Sequence, residues 1–157
     1  MKHENLQMKN LFNPTDVAEI IERIQKLTPT TQRQWGKMNV AQMLAHCNES
    51  AKNAIGITIL PQAFVGKIIG KFVFKMFVLK DKPAAKNSPT DPAFIVVDEK
   101  DFDAEKSSLL GYIHDFANRG ETGIANHSHP FFGQLTANEW AILGYKHLDH
   151  HLKQFGV

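Results

Sequence analysis

Two histidines near the end of the chain are the residues best placed for chemistry. His147 and His151 are four positions apart in a segment predicted to be helical. At about 100° per residue, both fall within about 20° of Trp140 on a helical wheel. Two imidazoles at this spacing can bind one metal ion at about 2.0–2.1 Å. The site is not a HExxH metalloprotease motif, because Leu148 stands where that motif has its glutamate.

The face that carries these histidines is predicted to be apolar and buried. The two imidazoles fall in the middle of a stripe formed by Trp140, Leu143, Gly144 and Phe155. The opposite, solvated face carries Lys146, Asp149 and Lys153. His150 lies at the margin between them. A lone buried histidine usually hydrogen-bonds a neighbour, but two of them leave several nitrogens to satisfy, at about 1–3 kcal/mol for each unpaired one.

A third ligand can come from an earlier helix or from the preceding loop. His46 is the only histidine of the second predicted helix, and neighbouring helices of a bundle often pool their ligands. On the helical wheel it lies beside Glu49, which fits an exposed side chain equally well. His127 and His129 are the rivals: a solvated turn is favoured for His127, whereas the proline and phenylalanines after His129 indicate a pinned segment.

Four amphipathic segments are predicted to be the helices that position these side chains. They cover 13–27, 39–56, 101–118 and 136–155. Capping residues mark the starts at Asn13, Asn39 and Thr136, and Gly120 is predicted to end the third helix. The only strand-like run is 95–97, and one run makes no sheet. We therefore predict an all-α protein, a four-helix bundle in one domain over residues 1–157.

The most apolar stretch, 57–80, is predicted to pack on the bundle or on a second subunit. Three lysines recur in it every four residues, namely Lys67, Lys71 and Lys75. Each would cost about 2.5–3.5 kcal/mol inside a bilayer, so a membrane span is not expected. A half-buried helix with a solvated lysine edge is predicted instead. Residues 81–94 are predicted to be a long irregular connection between the second and third bundle helices.

Other catalytic schemes find less support in the sequence. Cys47 lies on the apolar stripe of its helix and is predicted to be a small core residue. Glu139 is explained by a capping box, so we expect it to be structural. There is no GxSxG, GxGxxG or Walker motif, and Gly66 and Gly70 are expected only to permit close packing.

The composition excludes several classes of protein. With 157 residues, 43% of them hydrophobic, the chain can bury about two-thirds of its unfolded surface. A formal net charge of +2 gives no electrostatic signature for nucleic acid. The single cysteine cannot form an internal disulfide, and residues 1–12 lack the apolar core of a signal peptide. A cytoplasmic location is therefore expected.

Several segments resemble the DinB/YfiT-like superfamily of metal-binding four-helix proteins. One is Ala-Gln-Met-Leu-Ala-His at 41–46, after Trp-Gly-Lys at 35–37. Another is His-Leu-Asp-His-His-Leu-Lys-Gln at 147–154. The closer likeness is to a bacterial subgroup of unknown function in which His-Pro-Phe-Phe-Gly and Leu-Thr-x-x-Glu-Trp precede the last helix, as 129–133 and 135–140 do here.

The resemblance implies a ligand set and a cofactor. In the superfamily the second helix supplies one histidine and the last helix two, four residues apart, which implies His46, His147 and His151 as ligands. It also implies an up-down-down-up chain path and a divalent transition metal, nickel or zinc, with open positions filled by water. Some relatives are transferases or isomerases that use a low-molecular-weight thiol, and others are hydrolases by assignment only.

Two classes of function stay open at this stage. The first is a metal-dependent hydrolase or thiol transferase that acts on a small molecule, with or without a thiol cosubstrate, and whose catalytic residues the sequence does not assign. Its pocket would be formed by His129, His150, Trp35 and Phe131. The second is a non-catalytic binding or stress-response module with a structural metal or none, in which 57–80 serves as a partner or homodimer surface.

Overall fold

The computed structural model of the protein describes residues 8–80, 82–124 and 127–157, which are mostly helical. Its α-helices are α1 Pro14–Lys26, α2 Val40–Ala54, α3 Phe64–Val73, α4 Phe102–Gly123 and α5 Ala137–Gln154. A π-helical turn, Phe74–Val78, extends α3, and a 3-10 turn covers Pro92–Phe94. Two short strands, β1 Ser128–His129 and β2 Gly133–Gln134, pair antiparallel with His129 opposite Gly133. This small hairpin was not predicted.

Three helices start where their capping residues predict. The Asn13 side chain accepts hydrogen bonds from the first turn of α1. Asn39 and Gln42 form a capping box on α2, and Thr136 and Glu139 form another on α5, with 2.9 Å between the Thr136 nitrogen and the Glu139 Oε2. These contacts satisfy N–H groups that the first turn of a helix leaves unpaired. The predicted starts are confirmed.

The break predicted at Gly120 is present, but α4 continues beyond it. Gly120 has a φ of 61°, a left-handed value that favours glycine, and it interrupts the helical geometry. The chain then resumes helical conformation as far as Gly123. The predicted end at residue 118 was therefore a few residues short.

The core lies where α1, α2, α4 and α5 meet. α2 contacts both α4 and α5, and α1 contacts the same two helices. The side chains buried most completely at this junction include Ile20, Ile24, Leu44, Leu109 and Leu152. Cys47 is buried among them, as predicted for a small core residue, and burial raises the pKa of its thiol.

The helix α3 packs through its glycines and not through its large apolar side chains. Gly66 and Gly70 lie against the backbone of Phe131, and a Cβ atom at either position would clash with the Phe131 carbonyl oxygen. Phe64 and Ile68 remain 75% and 68% exposed. The helix and its solvated lysines are as predicted, but the expectation that its apolar side is the buried one was wrong. No helix among the described residues is long and apolar enough to cross a membrane.

The connection before α4 lies across the polar side of α2. It is irregular apart from Pro92–Phe94, as predicted. The strand-like run at 95–97 is not a strand, since the Val97 carbonyl accepts a hydrogen bond from the Gln42 Nε2 at 3.1 Å. The Asp98 carbonyl accepts a second from the same nitrogen at 3.2 Å. A side chain of α2 thus satisfies carbonyls that a neighbouring strand would otherwise pair.

Candidate metal centre

Three imidazoles meet between α2 and α5. One ligand atom from each of His46, His147 and His151 lies within 4.8 Å of the other two. The Nε2 atoms of His46 and His147 are 2.9 Å apart. The ring centroid of His151 lies 4.7 Å from each of the other two centroids. We call these residues the three-histidine cluster, and among the described residues no cysteine, aspartate or glutamate joins it.

Two imidazoles of the cluster are oriented by hydrogen bonds on the ring nitrogen that faces away from it. The His46 Nδ1 donates to the Phe94 carbonyl at 2.8 Å, because a carbonyl can only accept. The His151 Nδ1 lies 2.8 Å from the Gln154 Oε1 and donates to it. The amide Nε2 of Gln154 in turn donates to the Trp35 carbonyl at 2.9 Å, which fixes the amide orientation. In both histidines Nε2 therefore keeps its lone pair, the form that binds a metal.

Burial keeps the cluster neutral. His46 is 4% exposed and His151 9% exposed, whereas His147 is partly exposed. Loss of solvation lowers the pKa of His46, and lowers that of His151 to about 3. The pKa of His147 falls for the same reason and because the other two imidazoles lie close to it. Metal binding requires neutral imidazole, and all three rings of the cluster are neutral at neutral pH.

The position of His46 resolves an alternative that the helical wheel left open. The wheel placed it on the polar side of α2, beside Glu49, where an exposed histidine was an equal possibility. The structure buries it, because the segment around Phe94 covers that side of α2 and accepts the His46 hydrogen bond. This cover comes from 48 residues further along the chain. A helical wheel contains no information about it.

The buried face of α5 is broader than the stripe predicted for it. Trp140 and Phe155 of that stripe are buried, whereas Leu143 and Gly144 are partly exposed. Ala141, Leu148 and Leu152 are buried as well, and they lie about 100° around the helix from the line of His147 and His151. The two imidazoles therefore stand toward one edge of the buried face, and one of them is partly exposed.

The opposite side of α5 is less solvated than predicted. Lys153 is exposed, as expected, but Asp149 is partly buried and lies 2.8 Å from the guanidinium of Arg23 on α1. The Lys153 ammonium approaches the same carboxylate at 2.7 Å. These cations hold the pKa of Asp149 below its usual value, against the effect of its partial burial. Asp149 therefore links α5 to α1.

The two histidines of the preceding loop do not belong to the cluster. The expectation of a solvated turn at His127 was wrong, because its side chain is buried, hydrogen-bonded to the Asn53 carbonyl and stacked on Trp140 with ring centroids 5.1 Å apart. His129 is pinned, as predicted: its Nδ1 accepts the backbone N–H groups of Phe131 and Phe132 at 3.0 and 3.1 Å. Burial lowers the pKa of His129 to about 4.

The remaining residues predicted for the pocket divide into two groups. The ring of His150 lies 5.1 Å from that of His151, so His150 flanks the cluster. The ring of Trp35 lies 5.8 Å from that of His150. The ammonium of Lys86 stands 4.5 Å above the Trp35 ring. Phe131 instead contacts Phe132 and the glycines of α3.

Sequence reasoning missed two groups that orient the cluster. Gln154 follows His151 by three positions, and this spacing is a recognisable signal, because residues one turn apart on a helix contact each other. The Phe94 carbonyl carries no such signal. It is a backbone atom of a loop, so any residue type at that position would supply it.

Comparison with known protein families gives a match over nearly the whole chain. Residues 5–156 match a protein family described as a protein of unknown function (DUF1569). The matched range includes every described helix and all three histidines of the cluster. No curated protein and no solved structure matches the chain.

Proposed function

We propose that this chain, which belongs to the DUF1569 family, is a metal-dependent enzyme of the hydrolase or low-molecular-weight-thiol transferase type. His46, His147 and His151 are its metal ligands. The observation that carries this proposal is the convergence of three neutral imidazoles within 4.8 Å, two of them oriented by hydrogen bonds from their far nitrogens. Metal-binding histidines typically have such hydrogen bonds, which fix the ring and its tautomer.

The donor set favours a catalytic ion over a structural one. Structural zinc sites are usually closed by four protein ligands, whereas catalytic sites have three and leave a position for water or substrate. Such an ion lowers the pKa of a bound water or thiol and so supplies a nucleophile at neutral pH. The protein's own part is to hold the three imidazoles neutral, and His147 is the partly exposed one among them.

Nickel or zinc is the proposed metal, because imidazole ligands suit both.

We also propose that the protein is a relative of the DinB/YfiT-like superfamily, one domain over residues 1–157 with an up-down-down-up four-helix bundle. In support, α1 and α2 each contact both α4 and α5, and the cluster takes one histidine from α2 and two from α5. The long connection between α2 and α4, which contains α3, fits the same arrangement.

The test of the metal site compares two adjacent histidines. Elemental analysis of protein purified without a histidine tag should find about one divalent ion per chain, and His151→Ala should remove it. The matched control is His150→Ala, which removes an imidazole from the next position of the same helix and should leave the metal bound. Retention of metal by His151→Ala, or its loss only in His150→Ala, would contradict the site.

The enzymatic part of the proposal needs its own experiment. The metallated protein should hydrolyse a member of an ester panel or conjugate a low-molecular-weight thiol, and His147→Ala should abolish that activity. X-ray absorption of the metal should show three imidazoles and light, exchangeable oxygen ligands. A fourth protein ligand, for example His129, together with no turnover, would instead favour a binding module with a structural metal.

A further inference from the structure

The side of α3 that points away from the protein is apolar. Gly66 faces inward, and Ile68, two residues later, lies about 200° around the helix from it. Phe64, Ile68 and Phe72 are 75%, 68% and 66% exposed. We call these three, together with the exposed Val65, Ile69 and Phe77, the α3 surface.

The α3 surface is unusual for a protein surface. Single exposed apolar residues are common, but a contiguous group with several aromatic rings normally marks an interaction site. Ile57 and Ile59, which precede it in the sequence, are also largely exposed, and Leu79, which follows it, is about one-third exposed. Rotation of α3 cannot bury these side chains without loss of its glycine contacts, because only the glycine face fits against the Phe131 backbone.

The charge around the α3 surface has one sign. Residues 57–80 contain four lysines and no aspartate or glutamate. Lys67, Lys71 and Lys75 are exposed and lie about 100–180° around the helix from Gly66, along one edge of the apolar face. Lys80 follows at the end of the segment and is exposed as well.

We propose that the α3 surface binds the face of an anionic lipid bilayer. Helices that lie in the membrane interface combine a face of phenylalanine and aliphatic side chains with flanking lysines, as this one does. The phenylalanines and isoleucines would enter the boundary between headgroups and acyl chains, while the lysine edge contacts anionic headgroups. The ten residues of α3 span about 15 Å, half of a hydrocarbon core, so α3 lies on the bilayer and does not cross it.

Charge also argues against a second copy of this chain as the occupant. Two α3 surfaces that face each other would bring eight lysines into one interface, and residues 57–80 offer no carboxylate to pair with them. An anionic bilayer supplies many negative charges beside an apolar layer. It therefore complements both features of the surface at once.

Vesicle flotation tests the proposal with the full chain. The protein should float with vesicles of phosphatidylcholine mixed with phosphatidylserine, bind far less to phosphatidylcholine alone, and dissociate as salt is raised. The triple variant Phe64→Ser, Ile68→Ser, Phe72→Ser should lose binding. Its control, Ile95→Ser with Val97→Ser, removes exposed apolar side chains outside 57–80 and should bind like the unchanged protein.

The lysine edge is tested separately. Lys67→Gln with Lys75→Gln should weaken binding by about fivefold for each lysine removed. Lys26→Gln with Lys37→Gln makes the same change in net charge at exposed positions of other segments and should have little effect. Far-UV circular dichroism checks that each variant is folded. Membrane binding should survive His151→Ala, so this test does not depend on the metal.

Two results would overturn the proposal. One is that phosphatidylserine makes no difference, because the protein binds vesicles with and without it equally or binds neither kind. The other is a concentration-dependent dimer that Phe72→Ser converts to monomer, since the occupant would then be a second copy of the chain.

Discussion

The three-histidine cluster and the α3 surface depart from the usual distribution of residues in opposite ways. At the cluster, the polar imidazoles of His46 and His151 are buried and that of His147 is partly buried; at the α3 surface, phenylalanine and isoleucine side chains are exposed. Buried polar groups cost stability, and a contiguous exposed apolar group gains no burial energy and favours association, so proteins tend to keep both where function requires them. The comparison identifies two candidate functional regions on one chain, with different chemistry.

The two regions are also held in place differently. Side-chain hydrogen bonds orient the cluster, through the Phe94 carbonyl and Gln154. Backbone fit holds α3, whose glycines lie against Phe131. One region should therefore respond to changes in protonation and the other to changes in side-chain volume.

Acid should produce the largest effect, and it should act on the cluster. The pKa of each cluster imidazole is lowered by burial, that of His151 to about 3, whereas an unfolded histidine titrates near 6.5. Below about pH 6.5 the unfolded chain therefore binds protons that the folded chain does not, so the free energy of unfolding decreases as the pH is lowered. Each imidazole contributes at most about 1.4 kcal/mol per pH unit.

Urea unfolding of metal-free protein between about pH 7 and pH 5 measures this slope. The control is the variant His46→Gln, His147→Gln, His151→Gln, which lacks the three titrating groups and should show a shallower dependence on pH. Parallel slopes for the two proteins would show that the cluster is not a buried neutral group. The α3 surface contains no histidine, so vesicle binding should not differ between the two proteins.

Gly70→Ala should disturb the α3 surface and leave the metal bound. The new methyl group would clash with the Phe131 carbonyl, and overpacking of this kind costs about 1–3 kcal/mol. Hydrogen exchange should show faster exchange in α3. The matched control is Gly111→Ala in α4, where a Cβ meets open space and helix propensity should favour alanine by about 1 kcal/mol.

Gln154→Ala should act on the cluster alone. Its amide oxygen accepts the His151 hydrogen bond, and loss of such a partner typically lowers metal affinity by about 10–100-fold. A competition titration with a chromophoric chelator measures the change. Lys153→Ala, at the preceding exposed position, should keep the metal affinity of the unchanged protein. Equal effects of the two substitutions would show that Gln154 does not orient His151.

Glu139→Gln should have the smallest effect and should touch neither region. Glutamine can make the same capping-box contact to the Thr136 nitrogen, so we expect a change in unfolding free energy of less than about 0.5 kcal/mol. Thermal unfolding and turnover of the metallated protein check this. A large fall in turnover with the metal retained would give Glu139 a catalytic role in place of a structural one.

Local sequence was enough to predict the helices and two of the three histidines of the cluster. Asn39 and Thr136 cap their helices through contacts three residues away, and His147 and His151 share a helix face because of their spacing. Interactions between residues one turn apart depend only on the helix itself. The predicted capping boxes are therefore confirmed, and the two imidazoles do lie side by side.

Tertiary structure decided the burial of His46 and the orientation of α3, which the local pattern does not contain. His46 is buried because a loop 48 residues later covers its side of α2, and α3 turns its glycines inward because they alone admit the Phe131 carbonyl. Periodicity shows which residues share a face, but the surface that meets that face is set by residues distant in sequence. By itself the sequence determined the helices and the pair of imidazoles on α5; only the packing of distant segments brought His46 to that pair and left the apolar side of α3 exposed.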